Sequence, residues 1–149
     1  MTQQISRHDP RLAAWSAFLR AHARVVRELE RELQAEQRMA LTDYDVLVQL
    51  ANAGEHRLRM SELADRLLLS RSGATRLVDR LVAQGLIERR TCDDDRRGQW
   101  ASLTDAGYER LRQASPTHLR GVAEHFLDRL SGDELAALER AFTRLDDEA

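Results

Sequence analysis

Ser61-Glu62-Leu63-Ala64, Ser70-Arg71-Ser72-Gly73-Ala74-Thr75-Arg76-Leu77-Val78-Asp79-Arg80-Leu81, Gly85-Leu86-Ile87-Glu88-Arg89, Asp94-Asp95-Arg96-Arg97-Gly98 and Leu103-Thr104-Asp105-Ala106-Gly107 follow one another along a single stretch that decides the fold. Ser61 caps a helix from Glu62 to Leu68 or Leu69, and Ser70 caps a second from Arg71 to Gln84 that Gly85 closes. Within the second helix, Ala74, Leu77, Val78, Leu81 and Val82 form one apolar face. Arg71, Ser72, Thr75, Arg76, Asp79 and Arg80 form the other. Leu86 to Thr91 and Gln99 to Leu103 read as short strands around a polar turn. A short helix pair followed by an arginine-tipped ribbon is the layout of a winged helix-turn-helix. Its second helix enters the DNA major groove, and its ribbon reaches the flanking backbone or minor groove. The expected function class is a DNA-binding regulator, not an enzyme.

Outward from this stretch the chain reads as almost wholly helical. Asp9-Pro10 is a helix start, and Trp15, Phe18, Leu19, His22, Val25, Val26, Leu29 and Leu33 recur at three- and four-residue spacing up to Gln37 or Arg38. That stripe has no obvious partner in so small a chain. A further helix begins at Thr42, with Asp45 three residues on, and stops at Ala53-Gly54. Thr104 caps a helix running to Arg129 or Leu130, which Pro116 should kink or interrupt. Ser131 and Glu134 make a capping-box pattern ahead of Leu135, Leu138, Phe142 and Leu145.

At 149 residues the chain suits one domain or one protomer of an intertwined dimer. Its net charge of −2 conceals a segregation. From Arg57 to Trp100 there are 10 Arg against 7 acids, a balance of +3, and from Glu124 to Ala149 there are 3 Arg against 8 acids, a balance of −5. All 23 basic residues are arginine, which fits a GC-rich genome and makes every phosphate contact a planar guanidinium one. No apolar run is long enough for a membrane span, and Met1 to Ser6 lack an export signal. With the single cysteine Cys92 excluding an internal disulfide, the expected compartment is the bacterial cytoplasm.

The ordered set of motifs, with its Asp-x-Arg wing at 95–97 leading into Leu103-Thr104-x-x-Gly107, resembles the multiple antibiotic resistance regulator (MarR) family over nearly the whole chain. The resemblance implies a mainly α fold: a winged helix-turn-helix with a two-stranded β wing and terminal dimerisation helices. It implies a homodimer with dimerisation helices at 10–38 and 104–149 and a DNA-binding lobe at 42–103. Two recognition helices related by a two-fold axis would read a palindromic operator in double-stranded DNA, in successive major grooves. Such a protein would be a transcription regulator, in expectation a repressor of a nearby or divergent operon.

The candidate DNA-binding residues are Ser70, Arg71, Ser72, Thr75, Arg76, Arg80, Arg96 and Arg97. Ser70, Arg71 and Ser72 sit at a helix N-terminus, where amides and hydroxyls favour phosphate. Arg76 is the candidate for a guanine contact, the alternatives being phosphate alone or a surface ion pair. Arg80 has acids nearby that could engage it. By the resemblance, Asp95 and Arg97 pair to fix the wing, leaving Arg96, or whichever guanidinium is free, for the minor groove or its phosphates. The family also implies a small-molecule effector, for which Trp15, His22, Tyr44 and arginines of the first helix are candidate pocket residues, against the stronger alternative that Trp15 and Tyr44 are simply core aromatics.

Cys92 could serve as a redox switch, since Arg89, Arg90 and Arg96 would lower its pKa, but neighbouring acids oppose this and it reads as a small structural residue. His8, His22, His56, His118 and His125 are scattered without ligand spacing, so neither metal nor cofactor is expected. No catalytic motif is present in the sequence. The readings from other classes are a dimeric adapter that has lost specific DNA binding and a regulator switched by Cys92 oxidation.

Overall fold

The computed structural model describes residues 5–91 and 98–147. In chain order the helices and strands are α1 (Leu12–Gln37), α2 (Leu41–Ala51), β1 (Arg57–Arg59), α3 (Met60–Arg66), α4 (Arg71–Ala83), β2 (Ile87–Thr91), β3 (Gln99–Leu103), α5 (Asp105–His125) and α6 (Gly132–Asp146). They divide between two compact units, residues 32–118 and residues 1–31 with 119–149. Among the described residues no helix is long and apolar enough to cross a membrane.

The core of the 32–118 unit is built from Leu47 and Leu50 of α2, Leu63 of α3, Leu77, Val78 and Leu81 of α4, and Ile87 and Ala101 of the sheet. The sheet is antiparallel in the order β1-β3-β2, with Arg59 opposite Trp100 and Ile87 opposite Leu103. Strand alternation sends Leu58, Ile87 and Ala101 inward. It leaves Arg57, Arg59, Glu88, Arg90, Trp100 and Ser102 on the other face. The two-stranded wing therefore continues into a third strand. Arg57-Leu58-Arg59 has only one apolar residue, too little alternation to register as a strand, and it forms because β3 offers a free edge.

Local chemistry sets the helix ends. Ser70 Oγ accepts from Gly73 N–H at 3.1 Å, and Thr104 Oγ1 accepts from Gly107 N–H at 3.0 Å while donating to the Gly85 carbonyl at 2.7 Å. Gly85 adopts a φ of 75°, the left-handed turn that glycine tolerates. Three expectations shift. α2 begins at Leu41 with Ala40 as an uncapped N-cap, so Thr42 lies inside the first turn. α3 starts before Ser61 because the Glu62 carboxylate accepts from Arg59 N–H at 3.1 Å. It also ends earlier, at Arg66. Leu68 turns left-handed, with Leu69 N–H closing onto the Ala64 carbonyl at 2.9 Å. The helix-turn-helix corner is thus made without glycine.

α5 runs unbroken through Pro116 and stops at His125, where one 3₁₀ turn, Leu127–Arg129, takes over. Its first turn meets the sheet closely. A Cβ on Gly107 would collide with the Leu86 carbonyl, which already accepts from Thr104 N–H at 3.1 Å. Farther along, Arg110 donates to the Gln37 carbonyl and so closes the end of α1. Tyr44, buried in α2, lies against His118 with ring centroids 4.3 Å apart and donates its hydroxyl to Ser115 Oγ at 3.3 Å. His118 Nδ1 is buried with no hydrogen-bond partner among the described residues, and burial holds the imidazole below its usual pKa.

The other unit differs in kind. Ser131 and Glu134 form the expected capping box at the start of α6, at 3.2 and 2.8 Å. Asp9 accepts from Arg11 N–H at 2.9 Å ahead of α1. Phe18 meets Phe142 at 5.6 Å. Yet among its described residues Leu29 is the only hydrophobic side chain in the buried class.

Two measurements follow from this packing. Gly107→Ala should lower the free energy of unfolding by about 1–3 kcal/mol in urea titrations, because backbone must yield to the new methyl. His118 has a folded pKa below its unfolded value, so its contribution is complete above about pH 6.5 and is lost as pH falls below it. Between about pH 7.5 and about pH 5.5 the urea midpoint should drop, and His118→Phe should flatten that drop.

Candidate nucleic-acid interface

α4 is half-buried. Ala74, Leu77, Val78 and Leu81 lie in the core, whereas Arg71, Ser72, Thr75, Arg76, Asp79 and Arg80 are exposed. Val82, expected on the apolar face, is 37% exposed because it falls at the edge of the stripe. The residues on the polar face do different work. Ser70 is committed to its cap, with Ser72 Oγ 3.2 Å from Ser70 Oγ. Arg71 and Arg76 have no ion-pair or hydrogen-bond partner among the described residues. No described residue takes up a guanidinium donor of either.

Arg80 is engaged. Its Nη2 pairs with Asp43 Oδ1 of α2, and the Asp43 side chain is only 11% exposed. This acid lies 37 residues away in sequence, which is why only acids closer to Arg80 stood out on reading the chain. Arg89 is a structural residue that sequence reasoning missed. From β2 it donates to the Thr75 carbonyl at 3.2 Å and pairs with Asp79 at 3.0 Å, tying strand to helix. Its parity with inward-facing Ile87 was the available signal.

A cleft of about 380 Å³ opens beside the N-terminal half of α4, lined by Arg59, Ser61, Arg71, Thr75 and Gln99. At the sheet, the guanidinium carbons of Arg57 and Arg59 stand 4.5 and 5.3 Å from the centroid of Trp100. Arg57 is also paired with Glu55 at 2.5 Å, and Arg90 with Glu88 at 3.2 Å. Cys92, Asp95, Arg96 and Arg97, and with them the wing-tip and redox readings, lie outside the described residues.

The effector candidates fall in different units. Trp15 and His22 are on α1 of the 1–31 and 119–149 unit, each 6.0 Å from Phe18 between ring centroids, and Trp15 is 56% exposed. Tyr44 belongs to the 32–118 unit and is buried against His118.

Against known proteins, residues 39–98 match the sequence profile of the MarR family. The transcriptional repressor MprA of Escherichia coli (strain K12) is 41% identical over 75 residues, covering 50% of this chain and 43% of that protein. The HTH-type transcriptional repressor YetL of Bacillus subtilis (strain 168) is 32% identical over 105 residues, 68% of this chain and 63% of YetL. The chain thus spans less than two thirds of the length of either repressor. Solved structures cover it more fully. AbsC, a MarR family transcriptional regulator from Streptomyces coelicolor, superposes with a TM-score of 0.86 at 31% identity over 99% of this chain and 97% of AbsC. Sco3205, a MarR family transcriptional regulator of the same organism solved in complex with DNA, superposes with a TM-score of 0.87 at 32% identity over 98% of this chain and 91% of Sco3205. With sequence identity and fold agreeing over nearly the entire length, the chain belongs to the MarR family.

Proposed function

We propose that this protein is a homodimeric transcription regulator that binds a palindromic operator in double-stranded DNA and represses a nearby or divergent operon. A small-molecule effector relieves it. The single observation that carries this reading is the α4 face on which Arg71, Thr75 and Arg76 are exposed while the opposite face is locked into the core. A helix so placed offers guanidinium groups to base edges without unfolding anything. The DNA complex of Sco3205 supports the same use of the fold.

Residues 42–103 form the DNA-binding lobe in this reading, and 10–38 with 104–149 supply the dimer. Exposed Trp15, Leu19, Leu119, Phe142 and Leu145 favour the dimer, because a unit with almost nothing buried needs apolar cover from elsewhere. An effector acts by favouring one spacing of two recognition helices over another. The aromatic row of Trp15, Phe18 and His22 is the surface on which we place it. Wing residues Arg96 and Arg97 complete the DNA contacts, with Asp95 pairing Arg97.

Fluorescence anisotropy on the upstream intergenic DNA, with unrelated competitor, tests the reading. Wild-type binding should resist competitor, and Arg76→Ala should cost about 1–3 kcal/mol on the operator with far less change on random duplex. Equal weak binding to every fragment of a genomic pool would leave the adapter reading in its place. In sedimentation velocity the protein should run as a dimer, and Leu145→Asp paired with Leu119→Asp should shift it toward monomer.

A further inference from the structure

The outward face of the three-stranded sheet presents an arrangement that the recognition helix does not account for. Trp100 at the centre of β3 has arginines of β1 beside its ring, Arg57 at 4.5 Å and Arg59 at 5.3 Å. The two arginines are not equivalent. Arg57 is neutralised by Glu55, whereas Arg59 has no acidic partner among the described residues. The Arg59 guanidinium lies against Trp100, its backbone N–H donates to Glu62 at 3.1 Å, and the residue lines the cleft together with Arg71 and Thr75 of α4. Two arginines without ion-pair partners among the described residues, the hydroxyl residues Ser61 and Thr75, and Gln99 line one concave space of about 380 Å³, which has room for a tetrahedral oxyanion.

We propose that this cleft is a phosphodiester clamp, in which Arg59 and Arg71 grip one backbone phosphate of bound duplex and Trp100 is the positioning residue for Arg59. The inference rests on the DNA-binding reading above and adds to it a contact from the sheet. An arginine free in solvent must lose side-chain entropy to bind a phosphate. One already lying on an indole ring has lost part of it beforehand. Contacts of this kind fix how the protein sits on the duplex and carry no sequence information themselves.

The test is the salt dependence of duplex binding by the full-length protein, measured on operator and on random duplex. Wild type, Arg59→Gln, Trp100→Leu, Trp100→Phe and Arg57→Gln are compared, with folding checked by circular dichroism. Each phosphate contact contributes about 0.9 to the slope of log K against log salt. Arg59→Gln should reduce the slope by about that amount per bound protomer and weaken both duplexes alike. Trp100→Leu should do the same in part, Trp100→Phe should restore it, and Arg57→Gln should leave it at the wild-type value. A wild-type slope in a folded Arg59→Gln protein that still binds operator overturns the clamp and spares the regulator reading. Loss of discrimination between the two duplexes at constant slope overturns it as well, since Arg59 would then be reading bases. If wild type itself binds no duplex, both readings fall together.

Discussion

The seating of α4 governs everything a DNA reader needs from this chain. Leu77, Val78 and Leu81 are in the core, and each buried aliphatic side chain of this size is worth about 1.5–3 kcal/mol. The two ion pairs on the same helix, Arg80 with Asp43 and Arg89 with Asp79, are partly exposed, and pairs of that sort contribute about 0–1 kcal/mol. Apolar burial therefore decides that the helix docks. The arginine pairs hold its rotation, because they fasten two adjacent residues near its C-terminal end, Arg80 to α2 and Asp79 to β2. A helix rotated by one residue would swing about 100° and carry Arg76 away from any groove.

The same pairs divide the arginines by role. Positive charge on a surface attracts DNA only where the protein's own acids do not already consume it. Asp43, Glu55, Asp79 and Glu88 each hold one arginine of the basic middle of the chain, namely Arg80, Arg57, Arg89 and Arg90. Arg59, Arg66, Arg71 and Arg76 are left without such partners among the described residues. A count of charges along the sequence makes no such distinction. Spatial pairing leaves Arg71 and Arg76 on the polar face of α4 and Arg59 in the adjoining cleft, where a duplex would need them.

How legible this was depended on range. The caps at Ser70, Thr104 and Ser131 could be read because each is a hydrogen bond to an amide three residues on, encoded locally. The buried face of α4 was legible from its 3.6-residue period, apart from Val82 at its edge. β1 was not, since three residues with one apolar side chain form a strand only when β3 provides the edge. The pairing of Arg80, a DNA-binding candidate by sequence, and of Arg89 was not legible, because their partners lie 37 and 10 to 14 residues away and meet them only after folding. The left-handed Leu68 was invisible for a related reason. Its leucine side chain gives no hint of positive φ, and the corner is closed by backbone bonds alone.

The contrast between the two units explains why such a protein would work as a pair. Residues 32–118 bury a leucine-rich core and have the internal means to hold α4. Among the described residues of 1–31 and 119–149, Leu29 is the one buried hydrophobic side chain, while Trp15, Leu119 and Leu145 are each more than half exposed. Helices in that condition gain little from their own chain, since stability scales with apolar area removed from water. Their long amphipathic sequences make sense when a second copy supplies the missing cover. A ligand that alters how two such surfaces meet would alter the distance between two α4 helices without touching either. Control by an effector and recognition of a two-fold DNA site would thus draw on the same deficit of buried surface.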